Sequence, residues 1–240
     1  MGLDINVLSQ PMQGYEREFE EIWKIIHDRF SKDEMPQSPY IKAKSSRFFG
    51  MLNSPIEVDK EGAISRFQEI SIPAYASINA PVVGEDKDAD AWVRDAWKNG
   101  LVSAESEDHA LQNFIGYCAL QVMDDCDGFP TYSNGYSYEG VDRTSFRGSF
   151  LQDCESLLSG DQIAQAWEPM LCKDFAIWGQ DLRSAADCYA QENDLQYVLG
   201  KKQPVDNSNE GPCHELHIVD QAARWIDFWS KRGHGSDPYF

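Results

Sequence analysis

Apolar residues recur three and four positions apart in several segments of the chain, which is the spacing of one face of an α-helix. The first such segment, residues 15–30, has acidic side chains crowded into its first turns, where the helix dipole favours them. The same spacing predicts two further helices, over 86–100 and 106–123. We expect Gly100 to follow the first of these two helices, because glycine is favoured just beyond a helix C-terminus.

Helical spacing returns in the second half of the chain. An apolar stripe at 150–158 should stop at Gly160, and Asp161 is expected to cap the next helix. Pro169 interrupts that helix or opens its successor, which should run to about residue 192. A last helix is predicted over 214–231. Its inward face would hold Ile218, Val219, Ala222, Trp225, Ile226 and Trp229.

Residues 36–83 have a different pattern, with five prolines and few helix signals. Polar and apolar residues alternate over 66–72, which is the period of a half-buried strand, so we expect short strands and loops here. The sequence thus predicts an α+β, helix-rich fold. In it a small mixed strand and loop N-terminal portion, residues 1–85, packs on an acidic helical portion, residues 86–240. Both portions are compatible with one continuous domain.

A tyrosine-rich segment, MDDCDGFPTYSNGYSYEG, occupies residues 123–140. Asn134-Gly135 tolerates the positive φ angles of a type I′ turn and the flanking residues suit strands, so we predict a hairpin. Its tyrosines either pack locally or are displayed for contacts with a protein, because tyrosine is large, stiff and amphipathic. An EF-hand is excluded, since aligning Gly128 to position 6 puts Met123 at position 1 and Asn134 at position 12.

The stretch PCHELHIV contains a second group of metal-binding residue types. Two of its histidines are three residues apart and can face one ligand from a helix, but Ile218 stands where the zinc-protease HExxH motif requires its second histidine. The chain has no nucleophile elbow, P-loop or dinucleotide-binding motif. We therefore expect no cofactor or metal. The alternative is a metal-dependent hydrolase whose site is formed by Asp124, Asp125, Asp127, His214 and His217.

The acidic charge is concentrated in the middle of the chain. The sequence has 40 acidic and 21 basic residues, a net charge of −19, and residues 81–200 hold 22 of the acids and 7 of the bases, which is −15 of that total. Such a field repels nucleic acid and anionic membranes, so neither is an expected partner. The sequence has no signal peptide, no long apolar stretch and no CxxC pair among six cysteines, which predicts a cytoplasmic protein with free, mostly buried thiols.

A concentrated field of one sign favours a protein partner of the opposite sign, because it speeds the encounter and discriminates among partners. Nucleases suit this description, since their active faces must be basic to hold phosphates. Carboxylates would contact lysine or arginine, and the hairpin tyrosines would supply apolar anchors. The expected contact residues are Asp86, Asp88, Asp90, Glu105, Glu107, Asp108, Asp124, Asp125, Asp127, Tyr132, Tyr136 and Tyr138.

In its small size, strong acidity and lack of catalytic motifs, the chain resembles the immunity proteins that protect bacteria from interbacterial toxins. It is most similar in character to those paired with nuclease effectors of type VI secretion. The resemblance covers the composition of residues 81–200 and involves no aligned motif. It implies a bacterial protein that inhibits a toxin nuclease by tight 1:1 occlusion, and it assigns a role to no individual residue.

Overall fold

The structure, a computed structural model, describes residues 2–30, 38–43, 56–123, 144–202, 204–205 and 210–239. The α-helices of these residues are α1 (Glu16–Ile26), α2 (Lys60–Glu69), α3 (Ala74–Ser77), α4 (Lys87–Lys98), α5 (Glu107–Phe114), α6 (Gly160–Ala164), α7 (Cys172–Glu192) and α8 (Pro212–Ser230). The strands are β1 (Asp4–Leu8), β2 (Gln10–Pro11), β3 (Ile41–Ala43), β4 (Ile56–Val58), β5 (Ser71–Ile72), β6 (Ser145–Phe146) and β7 (Gly235–Tyr239). Helices dominate, which confirms the predicted α+β, helix-rich class.

The first and last of these strands pair with each other. β1 lies in the middle of a three-stranded antiparallel sheet, between β6 and β7. Ile5 of β1 is opposite Phe146 on one side and Pro238 on the other. Two smaller antiparallel pairs join β2 to β5 and β3 to β4. Sheet pairing therefore brings the two ends of the described chain together.

α7 and α8 form the centre of the largest core. Trp178 of α7 and Trp225 of α8 are buried, and Phe175 lies edge-on to Trp225 with ring centroids 5.7 Å apart. A Cβ added at Gly179 would lie 2.5 Å from Ile226 Cγ2, so glycine allows the two helices to approach closely. All six α8 residues predicted to face inward are buried, and α7 ends at Glu192 as expected.

A buried carboxylate, Asp220, ties α8 to its neighbours. Its side chain is fully shielded from solvent and forms an ion pair with Arg183 of α7. It also accepts a hydrogen bond of 3.0 Å from the backbone N–H of Gly200, and Nε of Arg224 lies 3.8 Å away. Because a buried charge is costly unless it is paired and hydrogen-bonded, these contacts give Asp220 a structural role.

The strand predicted over 66–72 is wrong for most of its length. Residues up to Glu69 belong to α2, and only Ser71–Ile72 forms a strand. Phe67 of α2 stacks on Phe19 of α1 with ring centroids 4.3 Å apart. Packing against α1 therefore outweighs the local alternation of polar and apolar residues.

The helix predicted over 106–123 is shorter than expected. α5 ends at Phe114, because Gly116 takes a left-handed conformation, with a φ of 84°, and turns the chain. The two predicted helices before it are confirmed in position. α1 buries Phe19, Ile22 and Trp23, and α4 is followed by Gly100 at a φ of 72°.

α6 begins with a cap other than the predicted one. Ser159 accepts the backbone N–H of Gln162, and the Gln162 side chain accepts the backbone N–H of Ser159, which together form a capping box. Gly160 is thus the first residue of α6, and Asp161 lies inside the helix. The prediction that Asp161 caps this helix is wrong.

The described cysteines are free as predicted, but the prediction that most of them are buried is wrong. The described cysteines Cys118, Cys154, Cys172, Cys188 and Cys213 are free thiols. Cys154 is buried and its pKa is raised by that burial, whereas Cys188 is exposed. Among the helices described, none combines the length and apolar character that a membrane span requires.

Candidate protein-interaction surface

α4 and α5 pack around a small core of their own. Ala89 and Val93 of α4 and Ala110 of α5 are fully buried in it, with Val83 and Ala119 from the flanking segments. The backbone N–H of Val83 donates to the carbonyl of Tyr117, so the segment before α4 pairs with the segment after α5. The two helices therefore form a small unit, residues 81–123, which we call the acidic helix pair.

Three of the predicted contact carboxylates have structural roles in the acidic helix pair. Asp86 caps α4 by accepting the backbone N–H groups of Asp88 and Ala89, at 2.8 and 3.3 Å. Asp90 accepts the backbone N–H of Gly84 at 2.7 Å. Glu107 forms an ion pair of 3.4 Å with Arg94. These carboxylates are already engaged within the fold.

The other three described carboxylates of the predicted set, Asp88, Glu105 and Asp108, are exposed. Asp88 lies in the first turn of α4 and Asp108 in the first turn of α5, where a negative charge is favoured by the helix dipole. Among the described residues, none forms a hydrogen bond or ion pair with the side chains of these three carboxylates. They remain available to a ligand of positive charge.

Half of the predicted contact set lies outside the described residues. This half comprises Asp124, Asp125, Asp127, Tyr132, Tyr136 and Tyr138. The predicted hairpin and the contact role of these residues therefore stay predictions.

The metal hypothesis has no further support in the described residues. His214 and His217 lie in the first two turns of α8, and burial lowers the pKa of His217. Within the described part of the chain, no three His, Cys, Asp or Glu side chains are grouped closely enough to hold a metal ion. The aspartates proposed as its other ligands are outside that part, so the hydrolase also stays a prediction.

An aromatic cluster on the acidic helix pair was not predicted as a site. The rings of Trp92 and Tyr117 are stacked, with centroids 5.7 Å apart and an interplanar angle of 14°. Phe114 lies edge-on to both, at 6.1 Å from Trp92 and 5.6 Å from Tyr117. Tyr117 is 41% exposed and the neighbouring Ile115 is 68% exposed. The cluster is thus a boundary between the core and solvent, with an apolar surface on its outer side.

Acidic residues flank this cluster on α4. Asp88 is four residues before Trp92 and Asp95 is three residues after it, so all three lie on the same side of the helix. Both carboxylates are exposed. Lys87 and Arg94 lie on the opposite side of the helix from Trp92, whereas the exposed Lys98 lies one turn beyond Asp95. A cation can therefore approach Trp92 past two carboxylates, with Lys87 and Arg94 facing away from its path.

One signal in the sequence could have identified the aromatic cluster. Gly116 interrupts the apolar spacing of 106–123, and a glycine near the end of a helical pattern marks a possible C-terminal turn. A single helix over 106–123 would include Ile115 in its apolar spacing, whereas in the structure Ile115 is exposed. The spacing of Asp88 and Asp95 around Trp92 was also visible, but it was not distinguishable from the general excess of acids.

Comparisons with known proteins add no further assignment. No family model matches the chain, and neither the curated proteins nor the solved structures contain a significant match.

Proposed function

We propose that this chain is an acidic binding protein that neutralises a basic protein partner, and that it acts as an immunity protein occluding a toxin nuclease. The observation that supports this most directly is the arrangement on α4. There an aromatic cluster at the surface is flanked by the exposed carboxylates of Asp88 and Asp95. Aromatic anchors surrounded by a polar rim are the usual composition of a protein-binding surface, and acidic groups in that rim complement a basic partner.

The charge distribution supports a basic partner. Residues 81–130 contain 11 acidic and 3 basic residues, and one of those bases, Arg94, is paired with Glu107. A field of this sign raises the association rate with a basic surface and disfavours binding to anionic molecules. The substrate face of a nuclease is basic, so a protein bound there would exclude the nucleic acid.

The test begins with capture of the partner by tagged protein from lysate of its native cells at low salt. A wash at about 0.5 M salt, where exposed charges are screened, should release it. The captured protein is then purified and its nuclease activity is measured with increasing amounts of this chain. We expect one basic protein, inhibited at a 1:1 ratio, with an association rate that falls as the salt concentration rises.

Two results would contradict this function. One is the absence of any stoichiometric basic partner from the low-salt capture. The other is a captured partner whose activity stays unchanged in the presence of an equimolar amount of this chain.

A further inference from the structure

We propose that the aromatic cluster of Trp92, Phe114 and Tyr117 is the anchoring site for an arginine side chain presented by the basic partner, with Asp88 and Asp95 contacting its guanidinium group. This inference rests on the proposed function, because it identifies the chemical group that the acidic surface recognises. It concerns the surface of α4 and the turn after α5.

The geometry of the cluster suits a flat cation with an apolar stem. The face of an aromatic ring carries negative π-electron density, which attracts a cation within about 6 Å of the ring centroid, and three such rings lie together here. Ile115 lies beside the segment that leads into α4, since its side-chain carbons are 3.7 Å from the position of a Cβ at Gly84. Its exposed methyl groups offer an apolar contact to the methylene stem of a long basic side chain.

Arginine fits this arrangement better than lysine. The guanidinium group is planar, stacks on aromatic rings and can donate hydrogen bonds to carboxylates on either side at the same time. A lysine ammonium is a compact, strongly hydrated charge that gains less from the ring face. Two carboxylates flanking one aromatic cluster therefore select for arginine.

The chain holds two of its own arginines with the same combination of groups. Arg66 lies 5.3 Å from the ring centroid of Tyr15 and forms an ion pair of 2.8 Å with Glu18. Arg29 lies 5.5 Å from the ring centroid of Trp23 and forms an ion pair with Glu168. An aromatic ring with an adjacent carboxylate is thus an established way of holding a guanidinium group in this protein.

α7 offers a matched comparison surface without aromatic rings. Ile177 is 48% exposed and is flanked by the exposed aspartates Asp174, three residues before it, and Asp181, four residues after it. Asp174 lies in the first turn of α7 as Asp88 lies in the first turn of α4. The two surfaces carry two aspartates at similar spacing, each with an exposed lysine nearby (Lys98 on α4, Lys173 on α7), and they differ in the aromatic cluster.

The experiment is a nuclear magnetic resonance titration of the full chain with tetra-arginine amide and with tetra-lysine amide. The two peptides carry equal charge, and the indole N–H signal of Trp92 is assigned by its loss in Trp92→Leu. We expect tetra-arginine to shift this signal and to bind about two- to fivefold more tightly than tetra-lysine. Trp92→Leu should abolish that preference, and Tyr117→Leu serves as a second variant if the first disturbs the helix pair.

The aspartates are tested by two double variants of equal charge. Asp88→Asn with Asp95→Asn should weaken tetra-arginine binding about two- to tenfold. Asp174→Asn with Asp181→Asn should leave binding at the Trp92 signal nearly unchanged. Equal loss in both double variants would mean that only the overall charge matters, and it would overturn the proposed arginine site.

The outcomes separate this inference from the proposed function. Equal affinity for the two peptides, or no shift of the Trp92 signal, overturns the arginine site even where a basic partner is captured and inhibited. A preference for arginine that depends on Trp92 supports the site even where no nuclease partner is found.

Discussion

Aspartates that look alike in the sequence have different roles in the folded chain. Asp220 is completely buried and holds Arg183, Asp86 caps α4, and Asp88 projects into solvent. Burial of a charge costs several kcal/mol unless it is paired, whereas an exposed carboxylate costs little and is free to act at a distance. The acidic field presented to a partner is therefore set by which carboxylates remain exposed, and the sequence count alone overstates it.

At the same scale, His234 is a buried histidine that joins distant parts of the chain. Its Nδ1 donates to the carbonyl oxygen of Leu8 at 2.8 Å, and its Nε2 lies 2.7 Å from Oγ of Ser77. Burial, opposed by the hydrogen bond to Leu8, lowers the pKa of His234 below its usual value. The folded state therefore binds a proton less readily than the unfolded state.

From this we predict a pH dependence of stability. As the pH falls below about 6.5, the unfolded chain takes up a proton at His234 and the folded chain does not, so stability is lost by up to about 1.4 kcal/mol per pH unit until the lowered pKa is reached. Replacing His234 by Gln removes this effect. The difference in unfolding free energy between the parent and His234→Gln should shrink between pH 7.5 and 5.5, as measured by chemical denaturation.

His109→Gln is the control for this prediction. His109 is exposed on α5, so water surrounds its ring in the folded as in the unfolded chain. The change in the unfolding free-energy difference from the parent between pH 7.5 and 5.5 should be larger for His234→Gln than for this exposed substitution. A constant or widening difference for His234→Gln would contradict the prediction.

At the scale of elements, the helices with a regular apolar face could be predicted from the sequence, and the segments that depend on distant contacts could not. α8 has its inward residues at the expected spacing, and all of them are buried. α2 was missed because its position depends on α1, where Glu18 holds Arg66 and Phe19 stacks on Phe67. Those contacts join residues about fifty positions apart, which no local pattern reveals.

The candidate surface likewise has one part that could be predicted from the sequence and one part that could not. The exposed carboxylate of Asp88 was predicted from charge and helical spacing. The aromatic cluster was not, because it requires the segment around Val83 to pair with the segment around Tyr117. That pairing brings Tyr117 onto the ring of Trp92, which precedes it by 25 residues.

The close contact of α7 and α8 gives a prediction for one glycine. Gly179→Ala would place a methyl group 2.5 Å from Cγ2 of Ile226, a branched side chain with few alternative rotamers in a helix. Overpacking of this kind costs about 1–3 kcal/mol, and the gain in helix propensity returns about 1 kcal/mol at most. We expect a net loss of about 1–2 kcal/mol in unfolding free energy, measured by denaturant titration.

Two variants complete this test. At Gly160, the first residue of α6, an added Cβ would meet no atom within 4 Å, so Gly160→Ala should be neutral or slightly stabilising. Combining Gly179→Ala with Ile226→Ala should cost less than the sum of the two single substitutions, because the second one makes room for the first. A fully additive pair would show that the two residues do not compete for space.

At the scale of the whole molecule, the two ends of the described chain are held together. β1 and β7 pair over five residues each, and His234, just before β7, binds Leu8 at the end of β1. The largest core forms beside this sheet, from α7 and α8. The acidic helix pair has its own core and contains eight acidic and three basic residues.

That excess charge gives a prediction for the molecule as a whole. With 40 acidic and 21 basic residues, repulsion among like charges destabilises the folded chain, and salt screens it. Between about 10 and 100 mM NaCl the screening length falls from about 30 to about 10 Å, so the melting temperature should rise by about 2–4 °C. Salt also weakens exposed ion pairs such as Arg17–Glu21, but each of these contributes little to stability, so this opposing effect is small. The Asp88→Asn and Asp95→Asn double variant should show a shallower rise, and a melting temperature that falls with salt would contradict this balance.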